Sequence, residues 1–287
     1  MEPRVLTIQD FSCLGRCSLT VAIPTISAAG CECVSIPTAI LSNHTAFKSW
    51  TFLDLTDQML HIVEKWKGYR HDFDYIYTGY LSNEQIPTVL EIIKLLKRPN
   101  TKIVVDPAMA DHGKLYPGFD NNHVKMMKEL IKVADIIVPN LTEACLLTDS
   151  PFPGTETEVP LKIYSSLMVK LSRFGAKQII ISGQEIKKGV VADLIYDYKE
   201  PKLDAYGTIL YKGLFHGTGD LFASAFVGAL ARGASLKEAV KIAHDYVHKA
   251  INFTNLNKLD GFLYGPDFES AIPSYVEAIN NISIKNN

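Results

Sequence analysis

Lys102-Ile103-Val104-Val105-Asp106-Pro107 and, past a helical stretch over 121–133, Ile136-Ile137-Val138-Pro139-Asn140 decide the fold. Each is a short unbroken apolar run, without the polar alternation of a strand that has one wet face. Unbroken runs of this length mark strands buried on both faces, as in a parallel sheet. Joined through a helix they make a βαβ unit, whose crossover is almost always right-handed. The pattern extends both ways. Towards the N-terminus, strands at 5–8, 33–41 and 75–78 alternate with helices at 18–28, 53–66 and 86–97. Towards the C-terminus, a helix at 161–174 precedes a strand at 178–181, and 190–197 and 208–212 read as antiparallel edge strands. Helices at 221–232 and 236–255 follow. The expectation is a single three-layer α/β/α domain over 1–287 with a central, mostly parallel sheet. Pro151-Phe152-Pro153-Gly154-Thr155-Glu156 reads as a turn-rich surface loop rather than a linker.

The bulk numbers exclude several classes. A formal charge of -2 gives no global field to draw nucleic acid or an anionic membrane, and neither is expected as a partner. The first residues lack the apolar core of a secretory signal, and no 18-residue apolar run is present. Five cysteines are an odd number without paired C-x-x-C spacing, so they read as reduced thiols of a cytoplasmic protein.

In open α/β sheets ligands bind beyond the carboxyl ends of the strands. Those ends carry Gln9-Asp10, Ser42-Asn43-His44-Thr45, Gly79-Tyr80, Asp106-Pro107, Pro139-Asn140 and Ser182-Gly183. Ordinary loops are polar too. Carboxylates, a histidine and amide side chains at successive strand ends nevertheless favour an active site over chance.

Gly217-Thr218-Gly219-Asp220 leads straight into a long apolar stretch rich in small residues. A helix N-terminus leaves backbone N–H groups unpaired and carries partial positive charge, which suits phosphate. Glycines let the backbone approach an anion closely. Asp220 would cap the helix, or take a proton from an alcohol attacking a phosphate held there. The tetrapeptide alone is also an ordinary capped turn. No Walker G-x-x-x-x-G-K-[ST] pattern is present, and Gly15-Arg16-Cys17-Ser18 lacks the spacing of a dinucleotide loop.

Taken in order, Ser42-Asn43-His44-Thr45, Thr78-Gly79-Tyr80-Leu81, Asp106-Pro107-Ala108-Met109-Ala110-Asp111, Pro139-Asn140-Leu141-Thr142-Glu143-Ala144 and Gly217-Thr218-Gly219-Asp220 resemble the ribokinase-like superfamily. Within it they resemble the vitamin B6 branch, the pyridoxal (pyridoxine, pyridoxamine) kinases, over residues 5 to about 249. The resemblance implies ATP- and Mg2+-dependent phosphorylation of the 5′-hydroxymethyl group of a vitamer, and leaves a requirement for a monovalent cation such as K+ open. It implies that the 217–219 backbone, with Thr218, forms an anion hole and that Asp220 is the base. Asn140, Glu143 and Asp106 fall in the metal-phosphate region, with Asp111 and Ser182 also on the nucleotide. Asp10, His44, Thr45 and Tyr80 surround the pyridine. It further implies a homodimer, with small-molecule substrate and ATP as partners.

The chain departs from the family at two places. Asp10 stands where many pyridoxal kinases have serine, which favours a cationic or hydrogen-bond-donating ring substituent and so pyridoxamine and pyridoxine. It also brings hydroxymethylpyrimidine kinase activity into contention. Gly183 replaces a second nucleotide-contacting hydroxyl beside Ser182. The segment 112–118 resembles a short mobile lid, and an ordinary surface loop is equally compatible. Arg16 is free to face substrate or solvent. A non-catalytic vitamer- or nucleotide-binding protein of the same fold is the alternative from another class, and the intact Asp220 between its glycine loop and helix argues against it.

Overall fold

The computed structural model describes residues 2–154 and 158–285. Thr155 and Glu156 of the 151–156 loop lie outside the described residues. Nine strands form one sheet. In chain order the first half holds β1 (Arg4–Ser12), α1 (Leu19–Ala28), β2 (Glu32–Leu41), β3 (Phe52–Asp54), α2 (Thr56–Lys65), β4 (Tyr75–Thr78), α3 (Gln85–Leu96) and β5 (Lys102–Val105). A small separate hairpin follows, β6 (Ala110–Asp111) and β7 (Lys114–Leu115), then α4 (Asn121–Ile131), β8 (Ile136–Ile137), α5 (Leu141–Leu147) and α6 (Leu161–Ser172). The second half holds β9 (Gln178–Lys187), β10 (Val190–Asp197), β11 (Glu200–Ile209), α7 (Thr218–Ala231), α8 (Leu236–Leu256), α9 (Gly261–Tyr264) and α10 (Ile272–Lys285).

The sheet order is β11-β10-β9-β8-β5-β4-β1-β2-β3. The six strands from β9 to β2 run parallel. β3, β10 and β11 join antiparallel at the two edges. The expected three-layer α/β architecture with a mostly parallel sheet is therefore present. Apolar side chains of both faces feed two cores. Leu6, Ile8, Ile76, Ile103 and Val105 pack under α2 to α6, whereas Val5, Tyr77, Val104 and Ile180 pack under α1, α7, α8 and α10. Alternate residues of β1, β4 and β5 thus serve opposite cores, as the two-residue period of a strand requires.

Several boundaries differ from the sequence expectation. The helix expected over 53–66 begins only at Thr56, because Phe52–Asp54 extends the sheet beside Ile40 and Leu41. Asp54 then accepts hydrogen bonds from the Thr56 amide and hydroxyl, and that local bond favours a helix start over an earlier turn. The strand expected at 208–212 lies earlier, at Glu200–Ile209, because it pairs in register with β10. The helix expected from 221 begins at Thr218. α5 and everything after residue 256 lay outside the expected elements.

The apolar helix α7 packs so closely that one position admits no side chain. A Cβ on Gly228 would lie 2.6 Å from the Tyr275 hydroxyl oxygen and 2.9 Å from the Ala29 Cβ. Gly228→Val should therefore cost roughly 1–3 kcal/mol through overpacking, lowering the melting temperature by about 2–4 °C for each kcal/mol. Thermal unfolding followed by circular dichroism checks this, and an unchanged melting temperature would show that α1 and α10 yield there.

Candidate active site

A cavity of about 740 Å³ opens at the carboxyl edge of the parallel strands. Asp10 and Ser12 from β1, His44 and Thr45 after β2, and Tyr80 after β4 line one end. Asp106 after β5, Asn140 and Glu143 around the start of α5, and Gly217 to Asp220 at the start of α7 line the middle. Ser182, Val191, Tyr211, Val247 and His248 line the far end. Every residue given a catalytic, substrate, nucleotide or metal role from the sequence thus lines one cavity, Asp111 included, whereas Gln9, Arg16, Ser42, Asn43 and Gly79 do not line it.

Gly217 carries φ 77° and caps α7. A Cβ there would fall 1.9 Å from the Arg16 carbonyl oxygen, so only glycine allows the two loops to approach this closely. The first-turn amides after it point out of the helix without intrahelical acceptors, a ready seat for an anion. Asp220, one turn in, is held by the Ser18 amide, which donates to its Oδ2 at 2.9 Å. Ser18 itself has φ 49°, a left-handed value uncommon for a residue with a side chain. Burial pushes the Asp220 carboxyl up to about 6; the Ser18 amide opposes that rise and the Asp10 charge adds to it. A carboxylate with that affinity for protons is ionised at neutral pH yet basic enough to accept one.

Asp10 is buried and accepts a hydrogen bond from the Ser12 hydroxyl at 2.9 Å. Burial raises its pKa, against the Ser18 and Ser12 hydroxyls and the nearby His44, which favour the ionised form. A carboxylate held in this way favours a cationic or donor group as neighbour. Cys17, buried beside Asp220 and Asp10, has its thiol pushed well up, chiefly by burial.

His44 does not offer its nitrogens to a ligand. Nε2 donates to the Leu263 carbonyl at 2.7 Å, and Nδ1 accepts from the Ala46 amide at 3.3 Å. This fixes one neutral tautomer, and burial holds the pKa below the usual histidine value. What remains is a ring against the cavity wall, near Phe47 and His216. Tyr80 is half-buried and stacks on Phe119 with ring centroids 5.2 Å apart, and Phe119 stacks in turn on His123 at 3.7 Å.

Asn140 and Glu143 form a capping box. The Asn140 Oδ1 accepts from the Glu143 amide at 3.0 Å, and the Glu143 Oε2 accepts from the Asn140 amide at 2.8 Å. Glu143 Oε1 also accepts the Met109 amide at 3.0 Å, while Asn140 Nδ2 donates to the Ala110 carbonyl at 2.7 Å. These two residues tie the 109–110 backbone, which leads into the β6–β7 hairpin, onto α5. The segment 112–118, read as a lid or an ordinary surface loop, includes the turn and second strand of a small hairpin, with the Gly113 amide at its turn donating to the Thr142 hydroxyl. Burial raises the pKa of both Asp106 and Glu143, and the Glu143 and Asp220 charges add to the rise at Asp106. Asp106, unlike Glu143, makes no side-chain hydrogen bond among the described residues.

Among the described residues no three acidic, histidine or cysteine side chains converge tightly enough to cage a metal. Mg2+ keeps several waters and seldom needs such a cage. Two buried carboxylates that disfavour each other's charge, one with unspent oxygens, fit a hydrated dication. Arg16, left open by the sequence, pairs with Glu269 at 2.9 Å and donates to the Gly265 carbonyl. It therefore ties the 15–17 loop to the C-terminal segment. The Ser182 hydroxyl faces the cavity without a partner among the described residues, and Thr45 is exposed.

Sequence reasoning missed Ser12, Ser18 and the whole 259–265 segment, whose Leu263 carbonyl fixes His44. It also missed a buried pair at the far end: His244 Nδ1 donates to Asp193 at 2.6 Å, and Asp193 also accepts the Gly183 amide at 2.7 Å. The spacing of His244 and His248, one helical turn apart, was the one visible signal.

An anion-binding helix end with a poised carboxylate, facing a pocket at the carboxyl edge of such a sheet, defines a small-molecule kinase of the ribokinase-like class. The chain belongs to the phosphomethylpyrimidine kinase family, whose model matches residues 20–263. Among curated relatives, a pyridoxal kinase from Dictyostelium discoideum is 28% identical, covering 90% of this chain and 88% of that protein. A hydroxymethylpyrimidine/phosphomethylpyrimidine kinase from Rhizobium meliloti is also 28% identical, over 88% of this chain and 91% of the relative. Among solved structures, a Bacteroides thetaiotaomicron protein named as a phosphomethylpyrimidine kinase, in a crystal form with pyridoxal, is 34% identical with TM-score 0.89 over 96% of both chains. Pyridoxal kinase from Lactobacillus plantarum is 26% identical with TM-score 0.87, over 97% of this chain and 98% of that one.

Glu143 carries the hairpin, so Glu143→Gln is informative. Glutamine offers one acceptor oxygen to amides that now have two, leaving one buried N–H unpaired at about 1–3 kcal/mol. Hydrogen exchange at the Met109 or Asn140 amide should quicken; exchange unchanged at both would mean that the carboxylate does not hold that backbone.

Proposed function

We propose that this chain transfers the γ-phosphoryl group of ATP to the 5′-hydroxymethyl group of a vitamin B6 vitamer. The observation that carries this reading is the Asp220 carboxylate, held by the Ser18 amide at an anion-binding helix end and facing the pocket of Asp10, His44 and Tyr80. The Bacteroides thetaiotaomicron relative crystallised with pyridoxal supports it. The vitamer's ring lies between Tyr80 and the His44 side, with its hydroxymethyl group towards Asp220. Asp220 takes the hydroxyl proton as the oxygen attacks the γ-phosphorus, and the amides of 217–219 bind the charge that gathers on the phosphoryl oxygens. Fixed donors of this kind are worth roughly 3–4 kcal/mol each. Asp106, with Glu143 and Asn140 nearby, would hold Mg2+, which would neutralise the phosphate charge.

Asp10 favours a ring or side group that carries a proton, hence pyridoxamine and pyridoxine ahead of pyridoxal. The same feature supports a second reading, phosphorylation of hydroxymethylpyrimidine, in line with the family and the Rhizobium meliloti relative. Among the described residues no helix is long and apolar enough to cross a membrane, and we place the protein in the cytoplasm as a single domain. A homodimer suits the exposed Phe11, Ile40, Phe52 and Leu53, which gather at the β1–β2–β3 edge.

Purified protein with Mg-ATP and a panel of pyridoxine, pyridoxal, pyridoxamine and hydroxymethylpyrimidine tests the reading by ADP release and product mass. A vitamer heavier by one phosphate is expected; turnover of the pyrimidine alone would select the second reading, and none at all would leave a binding protein. Asp220→Ala should reduce turnover by about 10²- to 10⁴-fold while ADP affinity, measured by calorimetry, survives. Turnover close to wild type would remove Asp220 as the base.

A further inference from the structure

The far end of the cavity, by β9 to β11 and so across the sheet from the Asp10, His44 and Tyr80 pocket, is where the base of the ATP in the proposed function would lie. Most of its side-chain hydrogen bonding is spent within the protein. His244 uses both nitrogens, Nδ1 on Asp193 at 2.6 Å and Nε2 with the Thr208 hydroxyl at 2.8 Å. The Tyr211 hydroxyl donates to Asn252 at 3.1 Å. The Gln184 amide donates to the Ser182 carbonyl, and its oxygen accepts from Tyr164. Val191, Val247 and Ile251 supply apolar surface between them.

One ring nitrogen in this wall is left over, on the half-buried His248. His248 lies one turn beyond His244 on α8 and stacks on Tyr211, ring centroids 4.6 Å apart. Its Nε2 lies 3.1 Å from the Ile209 carbonyl. A carbonyl only accepts, so the proton sits on Nε2 and Nδ1 is an acceptor. Nδ1 has no partner among the described residues. Burial holds the imidazole pKa below its usual value, and the neighbouring His244 acts in the same direction, which keeps this neutral form at neutral pH.

We propose that His248 selects the nucleotide base, accepting a hydrogen bond from an exocyclic amino group and disfavouring a base with a carbonyl oxygen there. A lone acceptor facing an amino group completes a bond, whereas facing a carbonyl it sets lone pair against lone pair and leaves both unpaired. Sites that discriminate through an unpaired polar group do so more strongly than apolar walls, which tolerate the exchange. Adenine carries the amino group at position 6; hypoxanthine carries oxygen at the same atom in nearly the same shape.

Calorimetric binding of ADP and IDP to the intact protein, with wild type and His248→Phe, tests this. Phenylalanine keeps the stacked ring and removes the acceptor. The expected result is that wild type binds ADP at least tenfold more tightly than IDP, and that His248→Phe lowers this ratio threefold or more. A wild-type ratio below tenfold, or a ratio that changes less in the variant, overturns the assignment. The inference rests on the nucleotide position in the proposed function, yet the two fail differently. Vitamer turnover with no ADP preference sinks His248 alone. A base preference without turnover of any alcohol leaves His248 standing and removes the kinase reading. No binding of either nucleotide at millimolar concentration removes both.

Discussion

The bond from the Ser18 amide to the Asp220 carboxylate joins the two halves of the site. Ser18 begins α1 just after the first strand, and Asp220 lies in the first turn of α7, so one interaction registers substrate end and phosphate end. Around it the backbone is crowded. Gly217 and Gly265 both press against the Arg16 carbonyl, and Arg16 itself is pinned to Glu269. Such close approaches tolerate little slack. That is what a reacting hydroxyl and a phosphoryl group need, since positioning supplies most of the catalysis in phosphoryl transfer.

A second theme is which polar groups are already satisfied. His44, Asn140, Glu143 and His244 all line the cavity, yet each spends its hydrogen bonds mainly on the protein. They shape the walls and fix the loops. Asp10, Asp220, Asp106, Ser182 and His248 keep unspent lone pairs, and these are the groups that the proposed reaction and nucleotide selection assign to substrate, metal and nucleotide. Buried polar groups are costly unless paired, which makes the unpaired carboxylate of the buried Asp106 informative.

Much of this was legible in the chain. Continuous apolar strands at 102–105 and 136–138 gave the parallel sheet, and the residues after each strand gave the cavity, because the βαβ topology sends all those ends to one edge. A helix end near Gly217 was visible through its glycines, although its start was set three residues late, at Leu221 instead of Thr218. Less legible was whatever depends on contacts between distant segments. Nothing in the sequence around His44 shows that Leu263 will take its Nε2 proton, and nothing around Arg16 points to Glu269. The capping box was half visible, since Asn140 and Glu143 stand at the right spacing. Its attachment to the 109–110 backbone, at the start of the β6–β7 hairpin, was not. Leu53 and Asp54 of the Phe52–Asp54 edge strand were read as helix because three residues carry too little periodicity to overrule the amphipathic run that follows.

In the proposed reaction Asp220 removes the proton from the attacking hydroxyl. Its carboxyl, pushed up to about 6 by burial, must be ionised to do so. The pH dependence of kcat/KM for the turned-over vitamer, from pH 5 to 8, is the direct measurement. A rate that is level above about 6 and falls about tenfold per pH unit below it, with that fall absent from the residual rate of Asp220→Ala, is the predicted result. A rate flat from pH 5 to 7, or the same acid limb in the variant, would contradict it.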